Sequence, residues 1–103
     1  MFRRRRFGEL ISKQLDLFER EHAHLIEACS EAERAYDRAD REEAEERYGD
    51  YVDLVETGTE LLAEVRDAFK LTLEEHTGEE YEAEFNRAVV RRLPRFGLEI
   101  ENR

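Results

Sequence analysis

Residues 36–48 read YDRADREEAEERY, and the turn inside this stretch sets the architecture of the chain. Asp40 stands three residues before Glu43, the spacing at which a carboxylate caps the start of a helix. A helix that begins just after Asp40 requires the preceding helix to end first. We therefore place the end of the first helix at Arg38 and the turn at 39–40, with helices of similar length on either side.

On both sides of the turn, apolar or small residues recur at alternating intervals of four and three. The seam of the first helix contains Ile11, Leu15, Phe18, His22, Leu25, Cys29, Ala32 and Tyr36. The seam of the second contains Ala44, Tyr48, Tyr51, Val55, Gly58, Leu62, Val65 and Phe69. This alternation is typical of a coiled coil. Folding the chain about the turn places large residues opposite small ones, such as His22 opposite Gly58, which supports an antiparallel hairpin.

The sequence therefore predicts an all-α chain. Its segments are a basic N-terminal segment 1–7, a hairpin 8–76 with helices 8–38 and 41–76, a third helix 77–93 and a tail 94–103. Thr77 and Glu80 repeat the capping spacing and predict the start of the third helix, which Pro94 ends. Apolar residues at every second position from Phe96 to Ile100 predict that the tail is extended.

Each helix of the hairpin carries a second apolar stripe that a single hairpin leaves uncovered. This stripe contains Leu10, Leu17 and Ala28 on the first helix, and Leu54, Leu61 and Ala68 on the second. The third helix is too short to cover the whole length. We expect a homodimer in which a second copy completes a four-helix bundle. A different protein is the alternative cover.

Composition limits the class of protein. The chain has 103 residues, 43% of them charged, a net charge of −10 and one cysteine. One domain of this size hides a modest fraction of its surface, which also favours a partner. A single cysteine cannot form an intrachain disulfide, so we expect a cytoplasmic protein. No apolar run is long enough for a transmembrane segment, so we expect the protein to be soluble.

Two Glu-x-x-His pairs, Glu19/His22 and Glu21/His24, raise the hypothesis of a metal site. This spacing supplies iron or manganese ligands in carboxylate-bridged bundles, and Glu56 would lie level with His24 in the hairpin. Assembled at a dimer interface, the site would hold iron, manganese or zinc. Such a protein would resemble ferritin-like or PhoU-like bundles in helix and acid content. Because 21 of the 103 residues are glutamate, chance alone supplies such pairs often, and we favour packed histidines without a cofactor.

Arginines cluster near both ends of the sequence. Arg3, Arg4, Arg5 and Arg6 precede the hairpin, and Arg91, Arg92 and Arg95 could fold back to the same end. These seven residues could contact an anion or a nucleic acid. Residues 8–90, however, hold nine basic and twenty-five acidic side chains, a charge of −16 that repels a polyanion. We therefore expect binding of neither nucleic acid nor an anionic membrane, and any anion contact would be end-on.

The stretch from Tyr36 to Tyr48 resembles the turn of many helical hairpins, including tetratricopeptide-type units, and the resemblance implies no function beyond the turn. Phosphate-binding loops, nucleophile elbows and metal-finger spacings do not occur in the sequence, so we expect no enzyme. Our first hypothesis is a non-enzymatic helical oligomerisation or protein-interaction protein. A metal-binding bundle is the second hypothesis, and anion contact through the arginines is the third.

Overall fold

The computed structural model describes residues 6–103 and confirms the all-α class within them. The helices are α1 (Gly8–Glu21), α2 (Ala23–Arg38), α3 (Ala44–Lys70), α4 (Glu75–Arg92), α5 (Pro94–Gly97) and a 3₁₀ helix (Ile100–Asn102). Helices α2 and α3 pack against each other along the hairpin. None of the helices in the described part of the chain is long and apolar enough to cross a membrane.

The first helix of the hairpin bends at His22, whose φ of −119° and ψ of 31° lie outside the helical range. The hydrogen bonds nevertheless continue through the bend. The His22 N–H donates to the Phe18 carbonyl at 2.9 Å, and the Ile26 N–H donates to the His22 carbonyl at 3.0 Å. On the N-terminal side of the bend, α1 packs mainly on α4 rather than on α3. The hairpin is therefore a close pair of helices at one end and opens at the other.

The helix that the sequence predicts over 41–76 is shorter in the structure, and the next one begins before 77. Asp40 Oδ1 accepts a hydrogen bond from the Glu43 N–H at 3.0 Å, as the capping spacing predicts. At the other end, α3 stops at Lys70, and Glu74 rather than Thr77 caps α4. The Glu74 carboxylate accepts from the Thr77 N–H at 2.6 Å and so satisfies a free donor of the first turn.

The tail, residues 94–103, is helical rather than extended. Phe96 and Ile100 are both buried, and their spacing of four residues matches one helical turn. Leu98, which strand-like alternation would place on the same face, is exposed. The prediction of an extended tail is wrong because it counted Leu98 with the two buried residues.

Phe96 explains why position 58 is a glycine. Helix α3 passes through Gly49 and Gly58 without a break. A Cβ atom at Gly58 would lie 2.3 Å from Cε1 of Phe96, so only glycine leaves room for that ring. The Phe96 ring also contacts Phe18 edge-on, with ring centres 6.1 Å apart. The sequence assigns this space to His22, which instead packs its ring on Phe18 at 4.9 Å.

The buried core lies almost entirely at one end of the molecule, which we call the base (residues 6–22 and 58–103). The remainder, residues 23–57, is a projecting two-helix arm. The buried apolar residues of the base are Ile11, Leu15, Phe18, Leu62, Ala63, Tyr81, Phe85, Val89, Phe96 and Ile100. Cys29 is the one buried residue of the arm. The base therefore supplies most of the apolar burial that stabilises the chain.

Tyr81 is the centre of an aromatic cluster that joins three helices of the base. Its ring centre lies 5.4 Å from that of Phe7, 4.9 Å from Phe69 and 5.9 Å from Phe85. The hydroxyl group donates to Gln14 Oε1 at 2.8 Å. Burial raises the pKa of Tyr81 to about 12, against a smaller lowering by the Gln14 hydrogen bond. The hydroxyl therefore stays protonated in a closed core.

Two glycine substitutions in α3 should change stability in opposite directions. Gly58→Ala should lower the free energy of unfolding by roughly 1–3 kcal/mol, because the new methyl group displaces the Phe96 ring. Gly49→Ala should raise it by up to about 1 kcal/mol, since no atom lies within 4 Å and alanine is the better helix former. Urea unfolding followed by circular dichroism measures both. Equal gains in both variants would contradict the close contact of Phe96 with Gly58.

Candidate functional site

A buried arginine holds the tail against the base. Arg66 is 1% exposed, and its guanidinium donates hydrogen bonds from all three nitrogens. Nη1 donates to Asn86 Oδ1 at 3.0 Å and to the Ile100 carbonyl at 2.9 Å. Nη2 donates to the main-chain oxygen of Arg103 at 2.6 Å, and Nε donates to Asp67 Oδ1 at 2.9 Å. Burial of the charge is tolerated because these charge-assisted bonds replace water.

A second arginine connects the tail to the arm. Arg95 Nη2 donates to Glu33 Oε1 on α2 at 2.7 Å, and Nε donates to the Tyr51 hydroxyl on α3 at 3.2 Å. Its guanidinium carbon lies 5.8 Å from the centre of the Tyr51 ring, within the range of a cation–π contact. The tail therefore contacts both helices of the arm as well as the base.

The structural role of the two arginines was not predicted from the sequence. A signal for Arg66 exists, since it lies one helical turn after Leu62 and so falls on the buried face of α3. Its partners could not be predicted, because Ile100 and Arg103 belong to a segment that the sequence predicts to be extended. Arg95 carried no comparable signal, because its partners lie on two other helices.

Apolar side chains of the arm are partly open to water. Four of its half-buried residues pack against the core of the same chain: Leu25, Ile26, Leu54 and Val55. The other half-buried apolar residues of the arm are Ala28, Ala32, Ala35, Ala39, Ala44, Tyr51 and Val52. Near the turn, Tyr36 is 40% and Tyr48 is 52% exposed, and their ring centres are 5.4 Å apart. Helices α2 and α3 leave these seams partly open to water, and a further pair of helices could cover them.

The second apolar stripe is less open than the sequence predicts. Leu10, Leu54 and Leu61 are partly buried and pack against the core of the same chain. Ala28 is half-buried, Ala68 is exposed, and Leu17 is 45% exposed. The chain therefore covers part of this stripe itself.

The predicted metal ligands are not brought together within the chain. Glu19 Oε1 accepts a hydrogen bond from Arg92 Nη2 at 2.6 Å, while Glu21, His24 and Glu56 are exposed and His22 packs on Phe18. Across residues 6–103, no group of three or more His, Cys, Asp or Glu side chains could hold a metal ion. A metal site of the predicted composition would need ligands from a second chain.

The predicted gathering of arginines at one end does not occur among the arginines that the structure describes. Arg6 lies 3.5 Å from Glu80, near the start of α4, whereas Arg92 is at the other end of that helix, about 18 Å away along its axis. Arg95 lies farther on, against the arm. Arg3, Arg4 and Arg5 are outside the described residues. Helix α4 therefore carries Arg91 and Arg92 away from Arg6.

Arg92 is also occupied by its own chain. Its guanidinium forms ion pairs with Asp16 and Glu19 and donates to the Ser12 carbonyl at 3.3 Å. Hydrogen bonds to Glu19 and Asp16 raise the pKa of Arg92. Beside it, a groove of about 260 Å³ runs between α1 and α4, with Ile11 and Leu15 among its lining residues. These ion pairs hold the two helices together and leave Arg92 poorly placed for a polyanion.

Replacing Arg66 should loosen the tail and destabilise the base. In Arg66→Leu, the Asn86 amide oxygen and the Ile100 carbonyl lose their donor. We expect a loss of about 3–5 kcal/mol in the free energy of unfolding, the range for removing one partner of a buried charged network. Arg87→Leu, an exposed arginine of α4, is the matched control and should change it by less than about 0.5 kcal/mol. Equal unfolding midpoints in urea would refute the anchoring role.

Comparison with known proteins returned no match. No protein-family model, curated protein or solved structure matches the chain.

Proposed function

We propose that the chain is a non-enzymatic interaction protein that pairs with a second copy of itself through the arm. One observation carries the proposal: the buried core lies in the base, and Cys29 is the one buried residue among residues 23–57. A helical pair of this kind gains little stability from its own packing, since most helical stability in proteins comes from burying an apolar face. A second arm would bury the exposed seams of both copies in a four-helix bundle.

The net charge of the arm predicts how dimerisation depends on salt. Residues 23–57 contain twelve carboxylates and four arginines, a charge of −8. Two arms therefore repel each other over distance, and the attraction between them has to come from apolar burial. Salt screens the repulsion, so the dimer should tighten as ionic strength rises. A basic partner helix would show the opposite dependence.

Cys29 supports a structural rather than a chemical role for the arm. Burial raises the pKa of the Cys29 thiol, and the nearby positive charge of Arg95 opposes this only in part. A protonated, buried thiol is a poor nucleophile. The proposal therefore assigns no catalytic residue, and the single free thiol is consistent with the cytoplasmic setting that we propose.

Substituting an exposed apolar residue of the arm should abolish pairing without unfolding the chain. Tyr48→Glu places a charge in the proposed interface, and Tyr48 is already 52% exposed in the single chain. We expect the variant to be monomeric at concentrations at which the unmodified chain is dimeric, with unchanged helicity. Sedimentation equilibrium at several salt concentrations provides the measurement.

Leu71→Glu is the matched control, because Leu71 is 86% exposed in the loop between α3 and α4 and lies outside the arm. It makes the same change of charge and should leave the dimer intact. The proposal fails if the unmodified chain is monomeric at all concentrations and salt levels, or if Leu71→Glu dissociates the dimer as fully as Tyr48→Glu does.

A further inference from the structure

The tail is bound to the rest of the chain much as a peptide ligand is bound to a receptor. Its binding slot is formed by Phe18, Gly58, Glu60, Arg66 and Asn86. The ring of Phe96 fills the notch at Gly58, and the carbonyl of Ile100 accepts from Arg66 at 2.9 Å. Arg103 Nη1 donates to Glu60 Oε2 at 2.5 Å. Side chains and main-chain oxygens of the tail thus contact partners on α1, α3 and α4.

The covalent connection between this ligand-like segment and α4 is a single residue. Helix α4 ends at Arg92 and α5 begins at Pro94, so that Leu93, with φ −130° and ψ 62°, makes the whole change of direction. Pro94 lacks the N–H that would continue α4, and it disfavours a helical conformation for Leu93. The return of the tail onto its own slot therefore depends on one proline.

None of the slot contacts requires the tail to come from the same chain. A second copy could supply the same ring, the same carbonyl oxygens and the same guanidinium, because only the path through Leu93 distinguishes the two arrangements. An empty slot is unfavourable, since Arg66 would lose its bonds to Ile100 and Arg103 and the notch at Gly58 would open. A slot that has lost its own tail is best satisfied by another tail of the same sequence.

We propose that the slot is an exchange site, which accepts residues 94–103 from a second copy of the chain as it accepts its own. Such domain swapping joins two copies through contacts that already exist in one. It uses the slot in the base together with the contacts of Arg95 to Glu33 and Tyr51 on the arm. It does not rest on the proposed pairing of the arms. The occupant is defined by its chemistry: an aromatic ring, a buried aliphatic side chain four residues later and a main-chain carbonyl directed at Arg66.

Complementation between two defective full-length copies tests the exchange. One copy carries Gly58→Leu, which fills the notch but leaves a normal tail. The other carries Phe96→Ala, which leaves a normal slot but removes the ring. Both also carry Tyr48→Glu, so that pairing of the arms cannot produce a dimer. One copy is labelled with nitrogen-15, so that native mass spectrometry distinguishes the heterodimer from either homodimer by mass.

We expect the heterodimer to be the main dimeric species in the mixture and each copy to be monomeric when measured alone. A mixture of two Gly58→Leu copies, one of them labelled, is the control and should stay monomeric because neither slot is open. If both defective copies keep native helicity and no heterodimer forms, the exchange is refuted.

Pro94→Ala in the same Tyr48→Glu background tests the proposal when either defective copy fails to fold. This variant keeps the slot and Phe96 intact but allows α4 to continue past Arg92, which directs the tail away from its own slot. We expect a dimer that disappears when Gly58→Leu is added. A Pro94→Ala chain that stays monomeric would overturn the proposal.

Discussion

The hydrogen bonds of the buried guanidinium of Arg66 set the position of the tail, and the rest of the architecture depends on that position. Four acceptors surround this charge, and two of them are main-chain oxygens of the tail. Once the tail lies there, Phe96 occupies the space beside Gly58. The first helix of the hairpin bends at His22, and its N-terminal part, α1, packs on α4 rather than on α3. The base is therefore a multi-helix core closed by the tail, whereas the arm keeps the simple pairing of a hairpin.

The part of the hairpin formed by α2 and α3 was predictable because its signals are local. Alternating spacing of apolar residues and the Asp40 cap depend on residues within a few turns of each other, and α2 and α3 pair as these signals predict. The opening of the base was not predictable, because it depends on Phe96 and Gly58, which are far apart in sequence. Glycine at position 58 signals a close approach, but it does not identify which side chain approaches. His22 was the nearest candidate by register, and the tail supplied Phe96 instead.

The metal and anion sites predicted from the sequence are not assembled within the chain, because several of their charged residues form ion pairs with one another or with other residues of the chain. Glu19 was a candidate metal ligand and Arg92 a candidate anion contact, yet the two form an ion pair that joins α1 to α4. Arg95 likewise pairs with Glu33 on the arm. In a sequence this rich in charge, motif spacing finds side chains on one helical face but does not show which partner they take across helices. The base contains nearly all of the buried core, whereas the arm contains one buried residue, and this division between base and arm is the central claim.

Hydrogen–deuterium exchange measured at several protein concentrations tests this claim most directly. Amides of the base, for example those around Leu62 and Phe85, should exchange slowly at every concentration, because one chain forms this core. Amides of the arm, from Ala23 to Thr57, should exchange quickly in dilute protein and become protected as concentration rises, because a second copy covers them. Protection of the arm that is high and independent of concentration would contradict the account, since the arm would then be stable without a partner.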